Sequence, residues 1–251
     1  LFSWNDTLYL RGYDEEHGSE LWRSDGTQAG TSLVKDINSG SAPSDPGPFI
    51  KFGGTLCFPA NDGIHGWELW KTDGTALGTV LLKDINPGPT STQLSEFEDM
   101  NGTLFFLAND AAHGKELWKT DGTESGTVLV KDTNPGVKSS DLRELTSLAG
   151  KLYFVDYNSG GPKLSLSDGT ALGTISFESL EPTSIDNSTP NSLIVFGDDL
   201  AFFSDRELRL LESPIWLLKP SVAPKFGGFA QSVGVWVDGD SSPIFAVEGT
   251  G

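Results

Sequence analysis

The sequence is short of the residues that most protein chemistry uses. In 251 residues there are one cysteine, one methionine and three histidines. A lone Cys57 rules out an internal disulfide and any Cys-x-x-Cys redox or zinc motif. Basic residues are few: 17 Lys and Arg against 35 Asp and Glu leave a formal charge of -18. Such a surface repels phosphate backbones and excludes nucleic acid as the expected partner. No apolar run reaches the roughly 18 residues of a membrane-spanning helix, so membrane insertion is not expected. Neither Gly-x-Ser-x-Gly nor His-Glu-x-x-His occurs. No leader peptide is visible. The chain opens on Leu1 inside a strand-like segment and ends on Gly251, which reads as a processed product or a piece of something longer.

What is abundant is glycine, at 30 residues, with 14 prolines beside it. That composition suits many short strands joined by tight turns. The turns recur at a fixed period. Asp-Gly-Thr occurs at Asp25, Asp73, Asp121 and Asp168, spaced by 48, 48 and 47 residues. Upstream of each, "NDTLYLRGYD", "GGTLCFPAND", "NGTLFFLAND" and "AGKLYFVDYN" share one register. In the second unit "PFIKFGG", "TLCFPA", "WELWKT" and "TVLLKDI" alternate apolar and polar residues between Gly, Asn and Asp, which predicts four strands. Four strands per roughly 40–50 residues is the blade period of a β-propeller. The expected fold is therefore all-β: one propeller over 1–251 with about six four-stranded blades, five to seven being open. The blades fall at about 1–48, 49–96, 97–144, 145–190, 191–224 and 225–251. The last lacks its outer strand.

The most regular words are "ELWRSDGTQAGT", "ELWKTDGTALGT" and "ELWKTDGTESGT", from Glu20, Glu68 and Glu116. They resemble the ELWxxDGTxxGT repeat of large secreted or surface proteins of bacteria and algae, a repeat thought to build propellers. The resemblance implies a scaffold and an extracellular or cell-surface location. The turn also resembles the Asp box of sialidase propellers. Read from the residues, Asp25, Asp73, Asp121 and Asp168 close Asx turns, and Gly26, Gly74, Gly122 and Gly169 allow positive φ. Trp22, Trp70 and Trp118 pack between blades, with exposed sugar platforms as the alternative. Glu20, Glu68 and Glu116 share the face of each Trp as satisfied carboxylates, with Lys35, Lys83 and Lys131 as candidate partners. Cys57 is a small buried apolar side chain.

Candidate chemistry is sparse. His17, His65 and His113 each precede a glycine at a spacing of 48, and a residue copied once per blade reads as a turn residue rather than a catalyst. Sialidase chemistry needs an arginine cluster, and the five arginines occupy no repeated inner-strand position. No catalytic residue, cofactor or metal is assigned. Calcium is an alternative at the oxygen-rich loops Ala60–Glu68 and Ala108–Glu116, which lack the regular Asp-x-Asp-x-Asp-Gly order. Asn5, Asn101 and Asn187 head Asn-x-Ser/Thr triplets and are candidate glycosylation sites. Trp216 and Leu218, in an apolar run of the decayed second half, are candidate interface residues. The expected function is a non-enzymatic structural or adhesion module whose partners are other domains of a parent chain or protein subunits, and possible glycans. A lectin-like propeller with equivalent inter-blade glycan sites is one alternative. A glycoside hydrolase-like enzyme is another, because 35 acidic residues leave many carboxylate pairs open.

Overall fold

Alternation of apolar and polar residues between left-handed turns yields strands throughout. The computed structural model describes residues 1–158, 162–176, 191–197, 199–204 and 207–211. Every regular element among them is a strand. The first sheet holds β1 (Phe2–Trp4), β2 (Thr7–Asp14), β3 (Gly18–Ser24) and β4 (Ser32–Lys35). The second holds β5 (Ile50–Phe52), β6 (Thr55–Asn61), β7 (Trp67–Thr72) and β8 (Val80–Lys83). The third holds β9 (Ser95–Met100), β10 (Thr103–Asp110), β11 (Gly114–Thr120) and β12 (Val128–Lys131). The fourth holds β13 (Leu142–Leu148), β14 (Lys151–Asp156), β15 (Lys163–Ser167) and β16 (Ile175–Ser176). The fifth shows β17 (Asn191–Phe196), β18 (Asp199–Ser204) and β19 (Glu207–Leu211).

Strands pair antiparallel in chain order within each sheet. The fold is a β-propeller. Trp216, Leu218 and the incomplete blade read over 225–251 lie outside the described residues, as does Asn187. The chain forms two compact units, Leu1–Ser140 and Asp141–Gly251. Two inner strands start earlier than the repeat boundaries suggest, β9 at Ser95 and β13 at Leu142. Each carries a bulge near its start that adds residues to the strand.

The tight turn between the first two strands of a blade needs positive φ at its first residue. Asn5, Gly53, Asn101 and Ala149 supply it, at 50°, 53°, 55° and 47°. Within the first unit the core lies between sheets. Trp4, Tyr9, Leu21, Val34 and Ile37 meet Leu56, Phe58, Ala60 and Trp70 of the second sheet. Phe52, Cys57, Leu69, Leu82 and Ile85 meet Leu104, Phe106, Ala108 and Trp118 of the third. Each fully buried Leu or Phe stabilises by about 1.5–3 kcal/mol. In the first sheet, Leu8, Leu10, Gly12 and Trp22 occupy the positions of Leu56, Phe58, Ala60 and Trp70, yet they are only partly covered. In the second unit Tyr153 and Leu164 pack on Leu200.

Candidate functional site

The repeated Asp-Gly-Thr phrase closes on itself. The Asp73 Oδ1 accepts bonds from the Thr75 amide at 2.9 Å and the Thr75 hydroxyl at 2.7 Å. Thr75 Oγ1 in turn accepts from the Gly78 amide at 3.0 Å, and the Thr79 hydroxyl donates to the Thr75 carbonyl at 2.7 Å. A Cβ on Gly78 would stand 2.0 Å from the Asp73 carboxylate, so glycine is required there by contact rather than by φ. Asp25, Asp121 and Asp168 repeat the same bonds to Thr27, Thr123 and Thr170. The hydroxyl bond from that threonine holds all four aspartates below the usual carboxylate range. One carboxylate oxygen of each aspartate is thus taken up by donors of its own turn.

Glu20, Glu68 and Glu116 are fully buried. Glu68 accepts from the amides of Ile85 at 2.9 Å and Asn86 at 3.2 Å and from the Thr92 hydroxyl at 2.5 Å. Glu20 does the same with Ile37, Asn38 and Ser44. Glu116 takes the Thr133 amide and the Ser140 hydroxyl. Burial raises all three carboxyls despite these donors. Two of the lysines expected beside them have other partners: Lys35 Nζ donates to the Ala76 carbonyl at 3.3 Å, and Lys83 Nζ lies 3.8 Å from Glu124. Backbone amides are the cheaper partners for a buried carboxylate, because they need no second desolvated charge. Two further cations join each sheet to the next, one residue after Trp22 and one after Trp70. Arg23 donates to the Gly74 carbonyl at 3.1 Å and Lys71 to the Gly122 carbonyl at 2.7 Å.

Trp70 and Trp118 are buried between sheets, at 6% and 8% exposure, which leaves no ring face for a sugar. His17, His65 and His113 cap the hairpins between the second and third strands. Each Nδ1 lies within 2.7–3.0 Å of a carboxylate oxygen three residues earlier, on Asp14, Asp62 or Asp110. That bond raises each imidazole. In the loops weighed for calcium, Asn61 accepts from Gly63, Asp62 from Ile64 and His65, and Asp110 from Ala112 and His113. Among the described residues no group of three or more His, Cys, Asp or Glu is arranged to hold a metal ion. Cys57 is buried, and burial pushes its thiol up to about 11. Asn5 and Asn101 are exposed on equivalent turns.

The inner strands carry glutamates that the repeated phrase does not single out. In β9, Glu96 is exposed and left-handed at φ 55°, and Glu98 follows two residues later, partly covered. Between them Phe97 turns inward and stacks on Phe106, with ring centroids 5.7 Å apart. The bulge opposite Phe105–Leu107 accounts for the backbone of Glu96. Glu144 holds the same repeat position in β13, at φ 61°, and its Oε2 accepts from the Leu193 amide at 2.7 Å. Left-handed φ costs an L-residue roughly 1–2 kcal/mol, so two glutamates in that state at one repeat position are notable. The signal available earlier was the spacing of 48 between them.

No protein-family model matches the chain, and no curated protein does. Solved structures do resemble it. A prolyl endopeptidase aligns over 77% of this chain with 11% identity and a TM-score of 0.48, and the chain spans 28% of that protein. An endo-arabinase from Bacteroides thetaiotaomicron aligns over 78% of this chain and 83% of its own, with 15% identity and a TM-score of 0.34. An α-L-arabinofuranosidase from Clostridium thermocellum aligns over 80% and 79%, with 13% identity and a TM-score of 0.31. These neighbours are enzymes, and with them the expectation of a non-enzymatic structural or adhesion module is corrected. At such identities the likeness is one of fold.

Proposed function

We propose that the chain is a glycoside hydrolase-like propeller, with Glu96 and Glu98 as its carboxylate pair. The observation that carries this is the bulged start of β9. It holds Glu96 out in a left-handed conformation while Phe97 anchors the strand into the core. Strain of this kind, kept at a strand end, is a frequent mark of a working site. Backbone positions two apart in a regular strand stand about 7 Å apart, and the bulge at Glu96 changes that spacing locally. Hydrolysis of a glycosidic bond takes two carboxyl groups roughly 5–9.5 Å apart. One delivers a proton to the leaving oxygen. The other either attacks the anomeric carbon or draws a proton from the water that does, and the bond to the leaving sugar breaks as the new C–O bond forms. Neither step needs a cofactor. Glu144, tied to the Leu193 amide, acts as a latch in its own unit rather than as a third acid.

The test is release of reducing sugar from a panel of neutral polysaccharides, arabinan and xylan among them. Glu96→Gln and Glu98→Gln should each lower kcat by at least about 100-fold, with an unchanged melting curve. Wild-type protein that cleaves nothing in the panel, or variants that cleave as well as wild type, would overturn the assignment.

A further inference from the structure

A cleft of about 370 Å³ opens beside β1, lined by Phe2, Arg11, Pro46, Pro48 and Phe49 among others. Its walls are held by bonds away from the cleft. The Ser44 and Asp45 amides both donate to the Ser19 carbonyl, at 3.0 and 3.1 Å, and the Gly47 amide donates to the Pro59 carbonyl at 3.0 Å. Phe49 is braced by Phe58, with ring centroids 5.3 Å apart. Asp45 is itself left-handed, at φ 47°. A loop pinned this way presents a cleft formed before any ligand arrives, which lowers the ordering cost of binding.

The lining is apolar and aromatic apart from Arg11, and Asp45, which precedes the lining residue Pro46, is the partner of that arginine. Arg11 Nη1 lies 3.5 Å from Asp45 Oδ1, with side-chain exposures of 59% and 36%. An apolar floor of this volume with a charged donor on its wall is the chemistry of a small-molecule site. The pair carries no net charge, and between them the two groups offer several donors and two acceptor oxygens. That chemistry matches a neutral sugar ring, whose C–H face lies on an aromatic or proline ring while its hydroxyls meet both partners. An anionic sugar would find Arg11 already neutralised by Asp45, on a chain of formal charge -18 that repels anions. Pro48 holds the repeat position that Glu96 holds in the third sheet, so within the first unit the cleft and that carboxylate mark the same end of their sheets.

We infer that this cleft is a subsite for a neutral saccharide chain, seating one sugar ring beside the Arg11–Asp45 pair. The inference rests on the hydrolase reading for its substrate class. It is tested on the full chain carrying Glu96→Gln, so that the probe is not consumed, by calorimetric titration with xylohexaose, arabinohexaose and hexagalacturonate. A neutral hexaose should bind, hexagalacturonate should bind at least tenfold more weakly, and Arg11→Ala and Asp45→Ala should each weaken the neutral probe at least tenfold with the melting curve retained. Binding unaffected by both substitutions, preference for hexagalacturonate, or no binding of either neutral hexaose would overturn it. The two readings fail separately: wild-type turnover without this binding removes the cleft and leaves the hydrolase, and binding without turnover does the reverse.

Discussion

Single positions in the repeated turn are fixed by contact geometry that residue counts do not reveal. Gly74 was readable as a positive-φ residue, and it stands at φ 91°. Gly78 was not readable in the same way, because its constraint is the Asp73 carboxylate lying where its Cβ would be. Two substitutions therefore couple. Asp73→Ala strips the bonds to Thr75 and should cost about 1–2 kcal/mol. Gly78→Ala should destabilise in the wild-type background by forcing the carboxylate aside. In the Asp73→Ala background the same change meets no carboxylate. Chemical denaturation of all four proteins should give a double mutant more stable than the sum of the single costs predicts. Simple additivity would mean that the contact is relieved in some other way.

At the scale of elements, strands and hairpins were legible because their pattern is local, whereas their partners were not. The four strands of the second blade fall within two or three residues of "PFIKFGG", "TLCFPA", "WELWKT" and "TVLLKDI". The partners of Glu68 lie 17 to 24 residues away on a loop, and no spacing rule picks an amide over Lys83. The bulges at Glu96 and Glu144 were hidden for a related reason, since an inserted residue is seen only once the facing strand is in place. The hairpin histidines carry a pH signature with a definite sign. Their folded pKa values lie above the ordinary 6.5, the bond to aspartate being the main cause. Their contribution is full below that value and is lost as pH rises through the folded one. Melting temperature should therefore fall as pH rises above about 6.5. A variant with all three histidines changed to Gln should flatten that slope. An equal slope in both proteins would show that the histidines make no such contribution.

Across the whole molecule, the period alone carried the architecture, since a spacing of 48 with one Asp-Gly-Thr per unit leaves little but stacked four-stranded sheets. It did not carry the site. Glu96 recurs only once, as Glu144, while Glu98 and the residues of the Arg11 cleft differ between repeats, and difference between copies has no template to be read against. The half-covered back of the first sheet has a consequence in time. Repeats that touch only their neighbours open from the weakest member outward. Leu56 and Leu104 are wholly enclosed, whereas Leu8 at the matching place is not. Under native conditions the amides of β2 and β3 should exchange with deuterium sooner than those of β6, β7, β10 and β11. The order in which the first unit comes apart would then be written in its first two dozen residues, and protection that is uniform over the three sheets would show that they open as one.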